Sequence, residues 1–203
     1  MRLRLVLLAV GAVWWPGAAR AQFNLAPGTY QLASGGTGSA SMKLVLAEGG
    51  SPTTVVGVKN GRERTFRSAE LTTFTVEAHR FVQAKDFRFR GGADVGFPDP
   101  AILEVVETGP VELHYYYYQM EMGTNFKAHV KLPVLRKAGT AIYLPYSPSR
   151  TPGIDAKLTS GTFAAVLFPA DPVLQRQFAT NSITRAQLPD VVRAYNRGVR
   201  LKP

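Results

Sequence analysis

From Gln22 to about Pro148 the chain repeats one pattern, in which short runs of β-branched and aromatic residues are separated by Gly, Pro, Asn and Ser turn signals. No 3.6-residue apolar period interrupts it. Such a rhythm predicts an antiparallel sheet or a partly open β-barrel over about 22–148. Its sharpest instance is Val55 to Val58 followed by Lys59-Asn60-Gly61-Arg62 and the return run Glu63 to Arg67. Asn-Gly supplies the two positive-φ residues of a type I′ turn, so a tight hairpin is expected there. A second hairpin is expected around Gly109-Pro110, between Ala101–Glu107 and Val111–Met120. Thr29 to Leu32, Met42 to Ala47, Leu71 to Val76, Phe81 to Phe89, Phe126 to Val134 and Ala141 to Leu144 complete the strand candidates. Within Phe81 to Phe89, alternation puts Phe87 and Phe89 on a core face, with Asp86, Arg88 and Arg90 facing solvent.

The signal changes at Gly161. Phe163, Val166 and Leu167 are spaced for a helix, and Asp171-Pro172 supplies an N-cap with Pro in the first turn of a second helix, whose apolar side is Val173, Leu174 and Phe178. Thr184 and Gln187 have capping-box spacing ahead of a stripe formed by Leu188, Val191, Val192, Tyr195 and Val199, and Gly198 is a C-terminal stop. Pro189 either kinks this third helix or marks its first turn. Strands followed by helices define an α+β fold, with the helical segment 161–203 packed on the sheet as part of one domain spanning 22–203.

Residues 1–21 read as a secretory signal peptide: Arg2 and Arg4, the apolar run Leu5 to Trp15, a Pro16-Gly17 break and Ala19-Arg20-Ala21 before the cleavage point. The protein is therefore expected to be exported, to the periplasm or beyond, with no transmembrane segment left after cleavage. It has no Cys, which excludes disulfides, a Cys-ligated zinc site, a thiol nucleophile and the lipid anchor of a lipoprotein. The formal charge of the whole chain is +10, and losing Arg2, Arg4 and Arg20 but no acid leaves +7 on 182 residues. A moderately basic exported domain suits an anionic envelope component, a polysaccharide or a protein as partner.

Candidate chemistry is sparse. His79, His114 and His129 lack the spacing of a helical metal motif, and neither a Gly-x-Ser-x-Gly elbow nor a Ser-x-x-Lys pair occurs. The Gly-rich stretch 34–39 lacks the Gly-Lys-Ser/Thr ending of a phosphate-binding loop. No metal, cofactor or catalytic residue is expected. The tract Tyr115-Tyr116-Tyr117-Tyr118 is the most unusual feature: on a strand, His114, Tyr116 and Tyr118 share one face, opposite Leu113, Tyr115 and Tyr117. The His114/Tyr116/Tyr118 face is either an aromatic binding platform or, if the strand is central, a second core face. Arginines 62, 64, 67, 80, 88 and 90 cluster around the middle strands, where a shared stripe could grip phosphate or sulfate, Arg88 and Arg90 above all. The expected function is non-enzymatic binding at the cell envelope. The alternative is a hydrolase acting on a carbohydrate or phosphorylated substrate through Glu104 and His114, which requires the hairpin register to bring those two together, or through paired carboxylates among Glu104, Glu107 and Glu112.

Three segments, Ile102 to Tyr118 with its Val-Glu-Thr-Gly-Pro-Val-Glu-Leu-His-Tyr core, Leu135-Arg136-Lys137, and Phe168-Pro-Ala-Asp-Pro-Val-Leu through Ala194-Tyr195-Asn196, occur in a familiar order. The chain resembles, over roughly 65–197, a family of uncharacterised exported bacterial proteins with a Gly-Pro hairpin, a Tyr-rich strand and a helical Tyr-Asn tail. That resemblance implies export and a compact sheet-plus-helix domain, and it brings no catalytic residues with it.

Overall fold

The computed structural model describes residues 24–46, 54–85, 100–121, 127–146 and 162–199. Residues 1–23, expected to hold a signal peptide, the run Phe87 to Arg90 with Arg88 and Arg90, and Phe126 lie outside these residues. Ten antiparallel strands form one sheet: β1 (Ala26–Leu32), β2 (Thr37–Val45), β3 (Thr54–Lys59), β4 (Arg62–Arg67), β5 (Leu71–Val76), β6 (His79–Ala84), β7 (Ala101–Glu107), β8 (Val111–Glu121), β9 (Lys127–Lys137) and β10 (Tyr143–Pro145). Helices α1 (Thr162–Leu167), α2 (Pro172–Ala179) and α3 (Leu188–Asn196) follow, so the architecture is α+β with a partly open sheet.

The strand order is β10-β9-β8-β7-β6-β5-β1-β2-β3-β4. It is a plain meander except at β5, which pairs with β1 instead of β4. That exception forces the sheet to curl. In a flat sheet β4 and β5 would lie about 19 Å apart laterally, whereas the connection Ser68–Glu70, a single 3-10 turn, reaches at most about 14 Å. Strands β1–β5 therefore roll into a half-barrel around Ala26, Met42, Leu44, Val55, Phe66, Leu71 and Phe74. Gly28 makes the closure at β1 possible, since a Cβ there would lie 2.0 Å from the Thr75 carbonyl oxygen of β5.

A second curl occurs at the other end. Thr72 and Gln83 of β5 and β6 line the same groove as Arg136 and Tyr143 of β9 and β10, although β7 and β8 separate the two pairs of strands. Its concave side is filled by Ala84, Ala101, Leu103, Tyr116, Leu132, Val134 and Tyr143. Tyr115 and Tyr117 belong to the first cluster and Tyr116 to this one, so β8 contributes one face to each curl. Its length and its aromatics on both sides follow from that double membership.

The expected Asn60-Gly61 hairpin forms as read, with φ of 52° and 72° and Lys59 opposite Arg62. The Gly109-Pro110 connection is wider than a two-residue turn, because a bulge shifts the register between Val105 and Glu107. The Asp171 side chain accepts from the Leu174 N–H at 2.9 Å, and Pro172 opens α2. Thr184 and Gln187 form their reciprocal pair, but around the turn that precedes α3, and Pro189 stands in the first turn of α3 without kinking it. Gly198, at φ 68°, ends α3 with Val199 N–H bonded to the Ala194 carbonyl at 2.9 Å. Val199 is thereby turned away from the apolar stripe and exposed, and Val166 and Val173 are exposed too. Leu188, Val191 and Val192 pack with Phe168, Leu174 and Phe178 over Val111, Leu113 and Leu135, so the helices cover the end of β8 and β9 beside the Gly109-Pro110 turn, opposite the β8–β9 connection.

Candidate ligand-binding site

The aromatic tract does not present an open stacking platform. Tyr116 is 3% exposed and His114 is 2% exposed, and Tyr118, half-buried, stacks on Tyr116 at 5.6 Å. Burial raises the Tyr115, Tyr116, Tyr117 and Tyr118 hydroxyls above the ordinary tyrosine range, because a phenolate there would lose its water. His114 is shifted the opposite way: burial lowers it below the ordinary imidazole value, against the opposing pull of Glu112. Its Nε2 lies 3.2 Å from Glu112 and its Nδ1 has no hydrogen-bond partner.

Register decides the Glu104 question. Val105 lies opposite His114 and Glu104 opposite Tyr115, so Glu104 and His114 occupy opposite faces and the pairing a hydrolase would have needed from them does not form. The histidine that reaches Glu104 is His79, from the end of the β5–β6 hairpin, with Nδ1 2.5 Å from Oε1. The Tyr117 hydroxyl donates to the other oxygen of this buried carboxylate. Glu107 and Glu112 do not join Glu104 either, for they pair with Arg193 and Arg136. His129 is exposed on β9.

The arginine stripe is split by topology. Arg62 and Arg64 lie on one face of β4, alternation places Arg67 on the other, and β5, β1, β2 and β3 stand between β4 and Arg80 on β6. On the Arg62/Arg64 face a groove of about 520 Å³ opens at the mouth of the half-barrel. Tyr30 and Phe66 meet there with ring centroids 5.0 Å apart, and the Arg64 guanidinium lies 4.5 Å above the Phe66 ring. Two glycines leave room for the rings: a Cβ on Gly38 would meet the Tyr30 hydroxyl at 2.4 Å, and one on Gly57 would meet Phe66 at 3.0 Å. Lys59 and Arg62 form the rim as directly opposed cross-strand neighbours, with Arg64 opposite Gly57. Like charges placed opposite each other weaken a hairpin by about 0.2–1 kcal/mol, and here they occupy its tightest point. Glu63 also lines the groove, and Glu70 approaches Arg64 at 3.7 Å in an exposed pair of little net energy.

Lys59 was legible as Arg62's partner from the type I′ turn alone. Tyr30 was not, because its place depends on pairing with Gly38 across a loop. Among the described residues no three His, Asp or Glu side chains converge to hold a metal ion, and no helix is long and apolar enough to cross a membrane. Comparison with known protein families, with curated proteins and with solved structures finds no match.

Proposed function

We propose that the chain is an exported, non-enzymatic binding domain that takes an anionic component of the cell envelope into the groove between β1 and β4. The observation that carries this reading is the juxtaposition of Lys59, Arg62 and Arg64 around the half-buried ring of Tyr30, with the buried Phe66 ring at the groove's floor. The cations supply charge-assisted contacts to carboxylate, sulfate or phosphate oxygens, with the Arg64 guanidinium lying 4.5 Å over the Phe66 ring. Tyr30 offers a ring edge and a hydroxyl to the uncharged part of the ligand. The basic balance of the sequence, the leader at its start and the resemblance to an exported family all support the envelope as its place of work.

The direct test is elution of the purified protein from an immobilised sulfated polysaccharide as salt is raised. Arg62→Ala with Arg64→Ala is expected to elute at clearly lower salt than wild type, while Arg67→Ala with Arg80→Ala, which lowers the net charge equally, shifts elution less. Equal shifts for the two double variants would mean that the protein binds through its overall charge, and the groove would lose its role.

A further inference from the structure

A second groove, of about 630 Å³, lies between the start of the second curl and its end. It is lined by Thr72, Gln83, Lys85, Arg136, Thr140 and Tyr143, and by Ala33 at its near wall. Arg136 is fixed in place: its Nε donates to Glu112 at 2.6 Å, Nη2 pairs with the same carboxylate and Nη1 donates to the Tyr143 hydroxyl at 2.8 Å. Glu112, Arg136 and Tyr143 are direct cross-strand partners on β8, β9 and β10, so the sheet register itself aligns them. A guanidinium has five N–H donors, and these contacts use three of them.

The two grooves are neighbours along β1. Tyr30 lines the first and Ala33 the second, three residues apart, a span of about 10 Å at most. The turn between them is pinned: Leu32 N–H bonds the Gly36 carbonyl at 2.7 Å, Gly35 N–H the Leu32 carbonyl at 2.9 Å and Ala33 N–H the Glu70 carbonyl at 2.9 Å. The Glu70 carboxylate beside this turn lies 3.7 Å from Arg64 through one oxygen and accepts from the Arg67 N–H at 2.8 Å through the other. Glu63 and Glu70 are the acids beside the first groove, and Lys59, Arg62 and Arg64 outnumber them.

Resting on the anion-binding function proposed for the first groove, we infer that the ligand is a linear acidic polysaccharide whose chain crosses the β1–β2 turn and occupies both grooves at once. The lining decides the class. Cations at Lys59, Arg62, Arg64, Lys85 and Arg136 match repeated carboxylates or sulfates. The hydroxyl and amide groups of Thr72, Gln83 and Thr140 match sugar hydroxyls. A single-stranded nucleic acid would instead want successive aromatic faces to stack its bases, and the second groove offers only Tyr143, itself 9% exposed.

The test compares a sulfated, uronate-containing disaccharide with a decasaccharide of the same repeat, each titrated calorimetrically into the purified protein at low salt. Two linked sites act as one multivalent site, so the decasaccharide is expected to bind with one chain per protein and at least tenfold tighter than the disaccharide. Arg62→Ala with Arg64→Ala should weaken both ligands. Lys85→Glu should leave disaccharide binding to the first groove intact and remove most of the tenfold gain, with unchanged Tm showing that the fold persists. If the disaccharide binds but the decasaccharide gains nothing, or Lys85→Glu leaves the gain untouched, the two-groove path is wrong and the first groove stands. If neither sugar binds, the function proposed for the first groove fails as well. Tighter binding of a single-stranded oligonucleotide of equal charge than of the decasaccharide would overturn the assignment to polysaccharide.

Discussion

Replacing Asn196 by Ala should destabilise the protein more than any other single polar substitution at the sheet–helix junction. Beside the Arg193–Glu107 ion pair, the Asn196 side chain ties α3 to the Gly109-Pro110 turn: Oδ1 accepts from the Val111 N–H at 3.0 Å, and Nδ2 donates to the Val111 carbonyl at 2.7 Å and to the Thr108 carbonyl at 3.3 Å. Val111 is fully buried, so water does not easily replace the lost partner of its N–H and C=O. Each such orphaned group costs about 1–3 kcal/mol, which puts Asn196→Ala at about 2–6 kcal/mol with the exposed Thr108 contact left out. For a domain of this size each kcal/mol lowers Tm by about 2–4 °C, so a fall of about 4–24 °C is expected by differential scanning fluorimetry. Asn196→Asp keeps the acceptor but turns a second oxygen toward two carbonyls, and should be no better than Ala. Gly109, at φ 148°, would place a Cβ 2.7 Å from the Asn196 amide, so Gly109→Ala should also destabilise, and less so when Asn196 is already Ala. A Tm change under 1 °C for Asn196→Ala would refute the idea that this clamp secures the turn.

Three further outcomes follow from the same contacts. His114 has a lowered pKa in the folded state, so the unfolded chain binds the extra proton first; stability is full above the unfolded value near 6.5 and is lost as pH falls below it, and His114→Gln should flatten that part of the Tm–pH curve. The buried tyrosines have raised pKa values, Tyr146 pushed up to about 12, so their stabilisation is present below pH 10 and lost above it. Most of the phenolate absorbance near 295 nm should therefore appear in one cooperative step with loss of the far-ultraviolet β signal, and its full rise in a still-folded protein would contradict their burial. Gly38→Ala, which displaces the Tyr30 ring at the groove mouth, should weaken sulfated-sugar binding several-fold in calorimetry while far-ultraviolet circular dichroism stays unchanged.

Local rules were enough for much of the fold. The type I′ hairpin, the Asp171 cap and the Gly198 stop are each specified by a few adjacent residues, and each appears as the sequence predicts. What depends on distant pairing was not legible. Nothing in the sequence says that β5 returns to β1, yet that pairing rolls the sheet, opens the groove at Tyr30 and separates Arg80 from Arg62 and Arg64. Glu104 shows the same limit: a one-residue bulge after Val105 and the reach of His79 from another hairpin, both long-range outcomes, decide which histidine it meets. Thr108-Gly109-Pro110-Val111 and Tyr195-Asn196, far apart in the sequence, meet in one clamp, with Tyr195 set edge-on to Phe168 at 4.9 Å.

The central claim is that Lys59, Arg62 and Arg64 form an anion site. It is tested most directly by the salt dependence of binding to a sulfated decasaccharide, measured for wild type and for Arg62→Ala with Arg64→Ala. Each cation that neutralises a ligand charge releases about one counterion, so removing two should reduce the slope of log Kd against log salt by about 2. An unchanged slope, with the variant still folded, would show that these arginines do not touch the ligand and would contradict the account.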